Sequence, residues 1–326
     1  MAGPVFAGGW ILILVTGGAG NMGRRLALAL AKQGSDVRIL CLPGDPSASA
    51  LADALKPSDK IRIAFGDVTD KESLASALAG VDIVFHLAAV VLSPDKSGVF
   101  QSVNADGTRN LVETAEAAGA KHFIYVSSIS VEYPRSNAYA RSKLQGEAWV
   151  KRSRVPFTIV RPSLAYEDRG AVEFMAFVGH LRKAPVVFLP AGGRARKSPV
   201  HIDDLVAGFL MLPGNPVAFG KAYIFSGGDV VSLREMAEAL LAHMGRRKPI
   251  VGVPAWICLL GAGLLWIAGK ATGRKSVFTY QTYTGLVQDA APSPRAARED
   301  LGYRPRTFRE GLATLTSLRN CLGATP

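Results

Sequence analysis

The sequence predicts an α/β fold with a doubly wound parallel sheet, and three observations support this prediction. Short runs of β-branched residues alternate with longer alanine-rich segments of helical periodicity in the first half of the chain, as in parallel crossover units. A glycine-rich segment, TGGAGNMG at 16–23, lies between the first such run and the first helical segment. The length of 326 residues is sufficient for this domain and a second lobe.

The predicted elements follow one another in a regular order up to residue 160. The predicted strands lie at 11–15, 36–41, 61–65, 83–87, 122–127 and 157–160. The predicted helices between them lie at 24–33, 71–79 and 105–118. Proline and glycine are frequent at 184–199, and regular patterns resume at 203–212 and 222–226. We therefore predict a first domain at 10–165, to which 200–226 returns, and a second lobe made of 166–199 and 227–326.

Composition limits the classes of partner and compartment. The three cysteines are far apart and have no disulfide or metal spacing, which indicates a reducing compartment. The apolar N-terminus lacks a basic region and leads directly into the glycine-rich segment, so we interpret it as a strand rather than a signal peptide. We expect a cytoplasmic protein, with membrane association as an alternative.

The net charge of +12 is spread over small basic clusters. No zinc ligands, helix-turn-helix spacing or alternating aromatic and basic residues accompany it, so no nucleic-acid partner is predicted. Three explanations stay open: a solvated basic surface, attraction to phosphorylated ligands, and attraction to anionic lipid.

One apolar segment, PIVGVPAWICLLGAGLLWIAG at 249–269, carries no charge, and Lys270, Arg274 and Lys275 follow it. Its uninterrupted part begins at residue 255 and is shorter than the roughly 20 residues that span a bilayer. The segment is predicted to be a core helix or, alternatively, an interfacial helix or lipid-facing pocket wall. In the second case, 255–275 would make peripheral membrane contact.

The glycine-rich segment has the pattern of a phosphate-binding loop. Gly17, Gly20 and Gly23 would permit a tight turn, close approach of a diphosphate and close packing of helix on strand. Asn21 and Met22 lie at the start of the following helix, whose N–H groups would face the diphosphate. The segment therefore predicts a dinucleotide site.

A second motif lies in NAYARSKLQGE at 137–147, where Tyr139 and Lys143 are four residues apart. On a helix this spacing places both side chains on one face. A nearby ammonium favours the phenolate form of a tyrosine, and such a pair can exchange a proton with a substrate hydroxyl. The alternative is an exposed helix face with an incidental pair.

Further motifs occur in a fixed order along the chain. They are GDVTD at 66–70, HLAA at 86–89, NADGT at 104–108, YVSSIS at 125–130, Arg161-Pro162 and His201-x-Asp203. Together with the glycine loop and the Tyr-x-x-x-Lys pair, they resemble the extended short-chain dehydrogenases/reductases, in the NAD-dependent epimerase/dehydratase branch. A branch similar to the 3β-hydroxysteroid dehydrogenases is an alternative. The resemblance covers most of the chain.

The resemblance implies a Rossmann-type NAD(P)-binding domain, with the second lobe binding substrate. It implies that Tyr139 is the acid/base, that Lys143 lowers the pKa of Tyr139 and holds the nicotinamide ribose, and that Ser128 donates a hydrogen bond to the reacting oxygen. The implied cofactor contacts are Gly17, Gly20, Asn21, Met22, Gly23, Asp67, Val68, Leu87, Ala88, Ala89, Tyr139, Lys143 and Pro162. The implied substrate contacts are Ser128, Tyr166 and His201. No metal is predicted, because His201 has no second histidine at a ligand spacing.

Two departures from the family pattern affect the expected chemistry. Cys41 lies where family members often have an acid that binds the ribose 2′-hydroxyl. Together with Arg24 beyond the glycine loop, this leaves NADP open as an alternative to NAD. Ile129 and Ser130 lie where the 4,6-dehydratases carry an Asp-Glu pair, which disfavours dehydration.

The expected function is that of an NAD(P)-dependent epimerase or oxidoreductase, acting by hydride transfer at a hydroxyl carbon of a nucleotide-linked or lipid-linked sugar. The segment 298–312 resembles the closing segment of sugar-modifying members. The first alternative is a dehydrogenase of a 3β-hydroxysteroid or another lipid alcohol. The second is a non-catalytic nucleotide-binding subunit, against which the set of Ser128, Tyr139 and Lys143 argues. By the resemblance, we expect a homodimer.

Overall fold

The computed structural model describes residues 11–56, 60–91, 97–134, 137–168, 171–254, 256–258, 260, 263 and 286–319. The chain divides into two compact units. The first comprises Met1–Pro162, Asp203–Phe225 and Pro294–Tyr303, and the second comprises Ser163–Ile202, Ser226–Ser293 and Arg304–Pro326.

The first unit is built on a sheet of seven parallel strands. The strands are β1 (Leu12–Thr16), β2 (Asp36–Cys41), β3 (Ile61–Phe65), β4 (Ile83–His86), β5 (His122–Val126), β6 (Phe157–Pro162) and β11 (Lys221–Phe225), and β7 to β10 belong to the second unit. Their spatial order is β3-β2-β1-β4-β5-β6-β11. The predicted doubly wound parallel sheet is therefore confirmed, with the change of winding direction between β1 and β4.

Burial explains why these short runs form strands. Every residue of β4 and β5 is buried, as expected for the central strands of a sheet with helices on both faces. The predicted bounds agree with β2 and β3 at both ends, and the other five predictions differ by one or two residues.

The helices of the first unit connect these strands. They are α1 (Asn21–Lys32), α2 (Pro46–Ala54), α3 (Lys71–Leu78), α4 (Ser97–Val99), α5 (Gly107–Ala117), α6 (Ala138–Arg152), α8 (Ile202–Phe209) and α10 (Arg295–Leu301). A π-helical turn at Phe100–Asp106 joins α4 to α5, where the sequence predicted a single helix from residue 105. The sequence did not predict α2, whose first turn is capped by Asp45.

The helix α10 groups with the first unit, whereas the predicted substrate lobe included all of 227–326. Its Asp300 carboxylate accepts hydrogen bonds from Lys221 Nζ at 2.7 Å and from Tyr223 Oη at 2.8 Å, both on β11. Tyr303 then stacks on Phe225 with ring centroids 4.7 Å apart. These contacts explain why this segment belongs to the edge of the sheet.

The second unit has its own apolar core. It contains helices α7 (Val172–Lys183), α9 (Leu233–His243), α11 (Phe308–Ala313) and α12 (Thr316–Arg319), and strands β7 (Ala165–Tyr166), β8 (Val187–Pro190), β9 (Arg196–Lys197), β10 (Val200–His201), β12 (Val231–Ser232) and β13 (Ile250–Val253). Apolar faces of its four helices pack in this core, and β8 pairs with β13 in parallel.

Among the described residues, no helix is both long and apolar enough to cross a membrane. The apolar segment predicted at 249–269 is described through β13 and Pro254, and beyond it only at residues 256–258, 260 and 263. The rest of it, and the basic residues that follow, lie outside the described residues.

Candidate active site

The glycine loop follows β1 and is packed too closely for side chains at two positions. Gly17 has φ of +67°, and a Cβ atom there would lie 2.8 Å from the backbone nitrogen of Ala88. A Cβ on Gly23 would lie 2.4 Å from the carbonyl oxygen of Gly17. Glycine at these positions is what allows the loop to fold tightly against both the end of β4 and the start of α1.

The first turn of α1 has the features of an anion-binding site. Gly20 is the N-cap residue, no side chain caps the helix, and the first turn carries no acidic residue. Asn21, Met22 and Gly23 form that turn, so their backbone N–H groups lie at the positive end of the helix dipole. These features fit a dinucleotide diphosphate.

A buried polar chain fixes the ends of β1 and β4 beside this loop. The Ala88 N–H donates to Thr16 Oγ1 at 3.1 Å, and Thr16 Oγ1 lies 2.8 Å from His86 Nδ1. On the other side of the ring, His86 Nε2 lies 2.9 Å from Thr108 Oγ1. Burial, and secondarily the charge of Lys143, hold the pKa of His86 well below its usual value. A neutral, doubly hydrogen-bonded imidazole therefore positions the segment that contains Leu87, Ala88 and Ala89.

The residues predicted to contact the adenine lie after β3. Asp67 Oδ1 accepts from the Thr69 N–H at 2.8 Å, and the Asp67 N–H donates to Ser73 Oγ at 2.9 Å. Val68 is buried against Gly107. The turn thus holds Asp67 at the same edge of the sheet as the glycine loop, and its adenine contact stays a prediction.

At the end of β2, the residue that matters for coenzyme choice is an uncharged thiol. Cys41 is the last residue of the strand and is 3% exposed. Burial, and then the charge of Asp45, raise the pKa of this thiol. Asp45 itself accepts a hydrogen bond from the Ser47 N–H at 2.8 Å as the cap of α2.

Ser128 follows β5 and caps a short 3₁₀ turn at Ile129–Glu132. Its Oγ accepts from the Ser130 N–H at 3.2 Å and from the Ser130 hydroxyl at 3.0 Å. Because a serine hydroxyl has two acceptor positions and one proton, these contacts leave the Ser128 proton to act as a donor. The geometry is that of a hydrogen-bond donor rather than a base.

Tyr139 and Lys143 lie in the first half of α6, which begins beyond an Asn137 cap that accepts from the Ala140 N–H at 2.7 Å. The Tyr139 ring makes an edge contact with Phe100, with centroids 6.3 Å apart. Lys143 is 1% exposed. Its Nζ lies 4.2 Å from the centroid of the Tyr125 ring, a cation–π contact.

Burial lowers the pKa of Lys143 from 10.5 to about 7, and the negative charge of Glu147 opposes this shift. The amine can therefore gain or lose a proton near neutral pH. A buried amine of this kind, one helical turn after the phenol of Tyr139, is typical of proton-transfer sites.

A charge cluster behind this site was missed at the sequence level. Glu147 is fully buried and accepts hydrogen bonds from Arg161 Nε at 2.8 Å, Arg161 Nη2 at 2.6 Å and Ser127 Oγ at 2.8 Å. Arg161 Nη1 also donates to Glu132 at 2.6 Å. The signal available was a glutamate four residues after Lys143 in a helical pattern, together with the arginine of Arg161-Pro162.

The two other residues predicted to contact substrate lie in the core of the second unit. The Tyr166 ring is fully buried against Phe174, Phe308 and His201, with centroid distances of 5.5, 5.1 and 5.3 Å. His201 Nε2 lies 3.2 Å from Thr314 Oγ1. Both side chains therefore pack against protein atoms, and the contact of Tyr166 and His201 with substrate stays a prediction.

Two further predicted positions have structural contacts. Pro162 is the buried last residue of β6. Asn104, in the NADGT motif, accepts from the Val90 N–H at 2.8 Å and donates to Ser142 Oγ at 3.1 Å, which links the π-helical turn to α6. Within the described part of the chain, no group of three or more His, Cys, Asp or Glu residues could hold a metal ion.

We expect Gly23→Ala to weaken NADH binding by at least about tenfold, because the added methyl group would displace Gly17 and open the loop. Gly179→Ala is the matched control, since a Cβ there meets no atom within 4 Å and Gly179 lies inside α7. Fluorescence titration with NADH compares the two variants. Unchanged affinity in Gly23→Ala would mean that the loop does not hold the dinucleotide.

Comparison with known proteins gives a family and a range of activities. A model of the NAD-dependent epimerase/dehydratase family matches residues 13–226. The chain is 31% identical to the ceramide reductase of Caulobacter vibrioides, over 82% of this chain and 81% of the relative. It is 26% identical to the 3-beta-hydroxysteroid dehydrogenase of Mycolicibacterium neoaurum, over 90% and 87%. Among solved structures, MoeE5 in complex with UDP-glucuronic acid and NAD has a TM-score of 0.70 and 21% identity, over 94% of this chain and 98% of that one, a likeness of fold.

Proposed function

The chain belongs to the NAD-dependent epimerase/dehydratase family of extended short-chain dehydrogenases/reductases, and on that premise we propose that it is an oxidoreductase of apolar alcohols or ketones. It would move a hydride between NAD(P) and the hydroxyl carbon of a lipid. The observation that carries the proposal is Lys143, buried one helical turn after Tyr139 with a pKa near neutrality.

Each residue of the site has one task in this proposal. The nicotinamide, when bound, supplies or accepts the hydride. Tyr139 Oη gives a proton to the substrate oxygen during reduction and removes it during oxidation. Lys143 attracts the anionic cofactor and holds its ribose, and its charge favours the phenolate of Tyr139. Ser128 donates its proton to the same substrate oxygen and stabilises charge that develops there.

The choice of a lipid over a sugar rests on the relatives and on the site. The sequence alone favoured a nucleotide-linked or lipid-linked sugar. The names of two relatives, a ceramide reductase and a 3-beta-hydroxysteroid dehydrogenase, support the lipid alternative. Their sequence identities of 31% and 26% exceed the 21% of MoeE5, which was solved with a nucleotide sugar. Ser130 orients Ser128 and occupies the place of an acid that dehydration would need.

The test is cofactor turnover with defined substrates. Purified protein is incubated with NADH, and separately with NADPH, together with a 3-ketosphingolipid or a 3-ketosteroid, and with NAD⁺ together with UDP-glucose. We expect multiple turnovers of cofactor with at least one of the lipid ketones, because a reductase must exchange its cofactor in each cycle. If UDP-glucose is instead epimerised with no net cofactor consumption, the enzyme is an epimerase and the lipid proposal is wrong. Comparison of NADH with NADPH also tests whether Cys41 permits the 2′-phosphate.

Peripheral membrane contact is the second part of the proposal. Trp256 and Leu260 are 63% and 61% exposed, and both lie in the apolar segment that basic residues follow in the sequence. Indole rings suit a lipid–water interface, and each basic residue near an anionic surface contributes about 1 kcal/mol.

We expect the protein to sediment with anionic vesicles at low salt and Leu260→Glu to reduce the bound fraction. The matched control is Val217→Glu, at a position of the first unit that is 47% exposed. If wild-type protein stays in the supernatant with both neutral and anionic vesicles, this contact does not exist. The homodimer stays a prediction, and sedimentation equilibrium measures it.

A further inference from the structure

We propose that Glu147 and Arg161 are positioning residues that join the helix carrying Lys143 to the turn carrying Ser128. The inference rests on the proposed function, because it assigns their role to the same site. Neither residue reaches the reacting atoms in this proposal. Glu147 acts through the helix that also carries Lys143, and Arg161 acts through its hydrogen bond to the turn that Ser128 caps.

The Glu147–Arg161 pair is a buried, hydrogen-bonded ion pair and not an incidental surface contact. Glu147 is fully buried, and the Arg161 side chain is 17% exposed. Two parallel hydrogen bonds join the guanidinium to the carboxylate, and the Ser127 hydroxyl adds a third to Glu147. A buried carboxylate is costly without such partners, so the pair fixes the relative positions of α6 and β6.

One end of this pair leads to Lys143. Glu147 lies four residues after Lys143 on α6, and both side chains are buried on the same side of the helix. Gly146, between them, packs so closely on Tyr125 that a Cβ would lie 2.2 Å from the tyrosine oxygen. Movement of Glu147 would therefore move the helical turn that carries the lysine.

The other end leads to Ser128. Arg161 Nη1 donates to Glu132, the last residue of the turn that Ser128 caps. Ser127, which donates to Glu147, is the residue before Ser128. Ser128 thus lies in the sequence between Ser127, which is bound to Glu147, and Glu132, which is bound to Arg161. The distance between Ser128 and Lys143 therefore depends on the Glu147–Arg161 pair.

The charge of Glu147 also acts on Lys143. The groups that interact with the lysine are His86 from β4, which burial keeps neutral, Tyr125 from β5, and Glu147 from its own helix. Among these, Glu147 is the negative charge that raises the pKa of Lys143 against burial. Without that charge, the amine would lose its proton at a lower pH.

The experiment measures NADH affinity as a function of pH for wild type, Glu147→Gln and a control, Asp300→Asn. The affinity should fall as the pH rises through the pKa of Lys143, because the ammonium attracts the anionic cofactor. We expect the midpoint of this fall to move about one pH unit lower in Glu147→Gln, about a tenfold change in the protonation equilibrium. The control removes a charged contact of α10 with β11 and should leave the midpoint unchanged.

A merely structural role would lower the melting temperature of Glu147→Gln without moving the midpoint, and that result would overturn the inference. If wild type binds no NADH at any pH, the proposed function fails together with the inference. If wild type binds NADH with the expected pH dependence and Glu147→Gln has the same midpoint as wild type, the inference fails and the proposed function stands.

Glu132→Gln gives an independent result if Glu147→Gln does not fold, because the Glu132 side chain is 40% exposed and its substitution leaves the buried Glu147–Arg161 contact in place. We expect a severalfold lower kcat with the best lipid ketone, through the turn that carries Ser128, with an unchanged pH midpoint. In that case an unaltered kcat would overturn the inference.

Discussion

Tyr139→Phe is expected to lower kcat by about 10²–10⁴-fold, the range typical of lost general acid–base catalysis, with NADH affinity nearly intact. The substitution removes one oxygen atom, and the ring contact with Phe100 and the helix cap at Asn137 stay in place. The change should therefore affect proton transfer alone. Steady-state rates with the best lipid ketone and NADH titration measure the two quantities.

The control for Tyr139→Phe is Tyr223→Phe, which also removes a phenol oxygen from the first unit. Tyr223 lies on the edge strand β11 and donates to Asp300, so its loss should affect stability without affecting kcat. If Tyr139→Phe keeps more than about a tenth of the wild-type rate, Tyr139 is not the acid/base.

Lys143→Met is expected to abolish cofactor-dependent turnover and to stabilise the fold at neutral and acidic pH. The folded-state pKa of Lys143 is about 7, against 10.5 for an ordinary lysine. Between these values the unfolded chain binds more protons than the folded one, so the free energy of unfolding of wild type rises with pH through this window. The cost of burying the charge is fully present below pH 7 and disappears above 10.5.

Methionine removes that cost and keeps most of the apolar stem, so the gain in stability should be largest below pH 7, on the order of a few kcal/mol, and shrink as the pH rises. Thermal unfolding from acidic to alkaline pH measures the difference. A variant that melts lower than wild type at acidic pH would mean that Lys143 does not carry a buried charge.

The doubly wound parallel sheet was predictable because two sequence signals combine in the first half of the chain. The central runs Ile83–His86 and His122–Val126 are buried on both faces, so their mostly apolar composition marks them as strands. The glycine loop at 16–23 fixed the position of the first crossover, since Gly17 and Gly23 are required by backbone contacts. The positions of Ser128, Tyr139 and Lys143 came from the resemblance.

The contacts that depend on distant residues were not predictable. Nothing in the sequence near Glu147 indicates that its partner is Arg161, 14 residues later and on a strand. The packing of the Tyr166 ring against His201 and Phe308 in the core of the second unit was likewise not predictable, since these residues lie far apart in the sequence. The place of α10 beside β11 depends on the bond of Asp300 to Tyr223, between residues 77 apart. Spacing along the chain does not encode such pairings.

Transfer of deuterium from the cofactor tests the central claim most directly. NADH carrying deuterium at the transferable position of the nicotinamide is incubated with wild-type protein and the best lipid ketone, and the alcohol is examined by mass spectrometry. The account predicts one deuterium on the carbinol carbon for each oxidised cofactor released, and loss of this product in Tyr139→Phe. An alcohol without deuterium, or a labelled product made equally well by Tyr139→Phe, would contradict it.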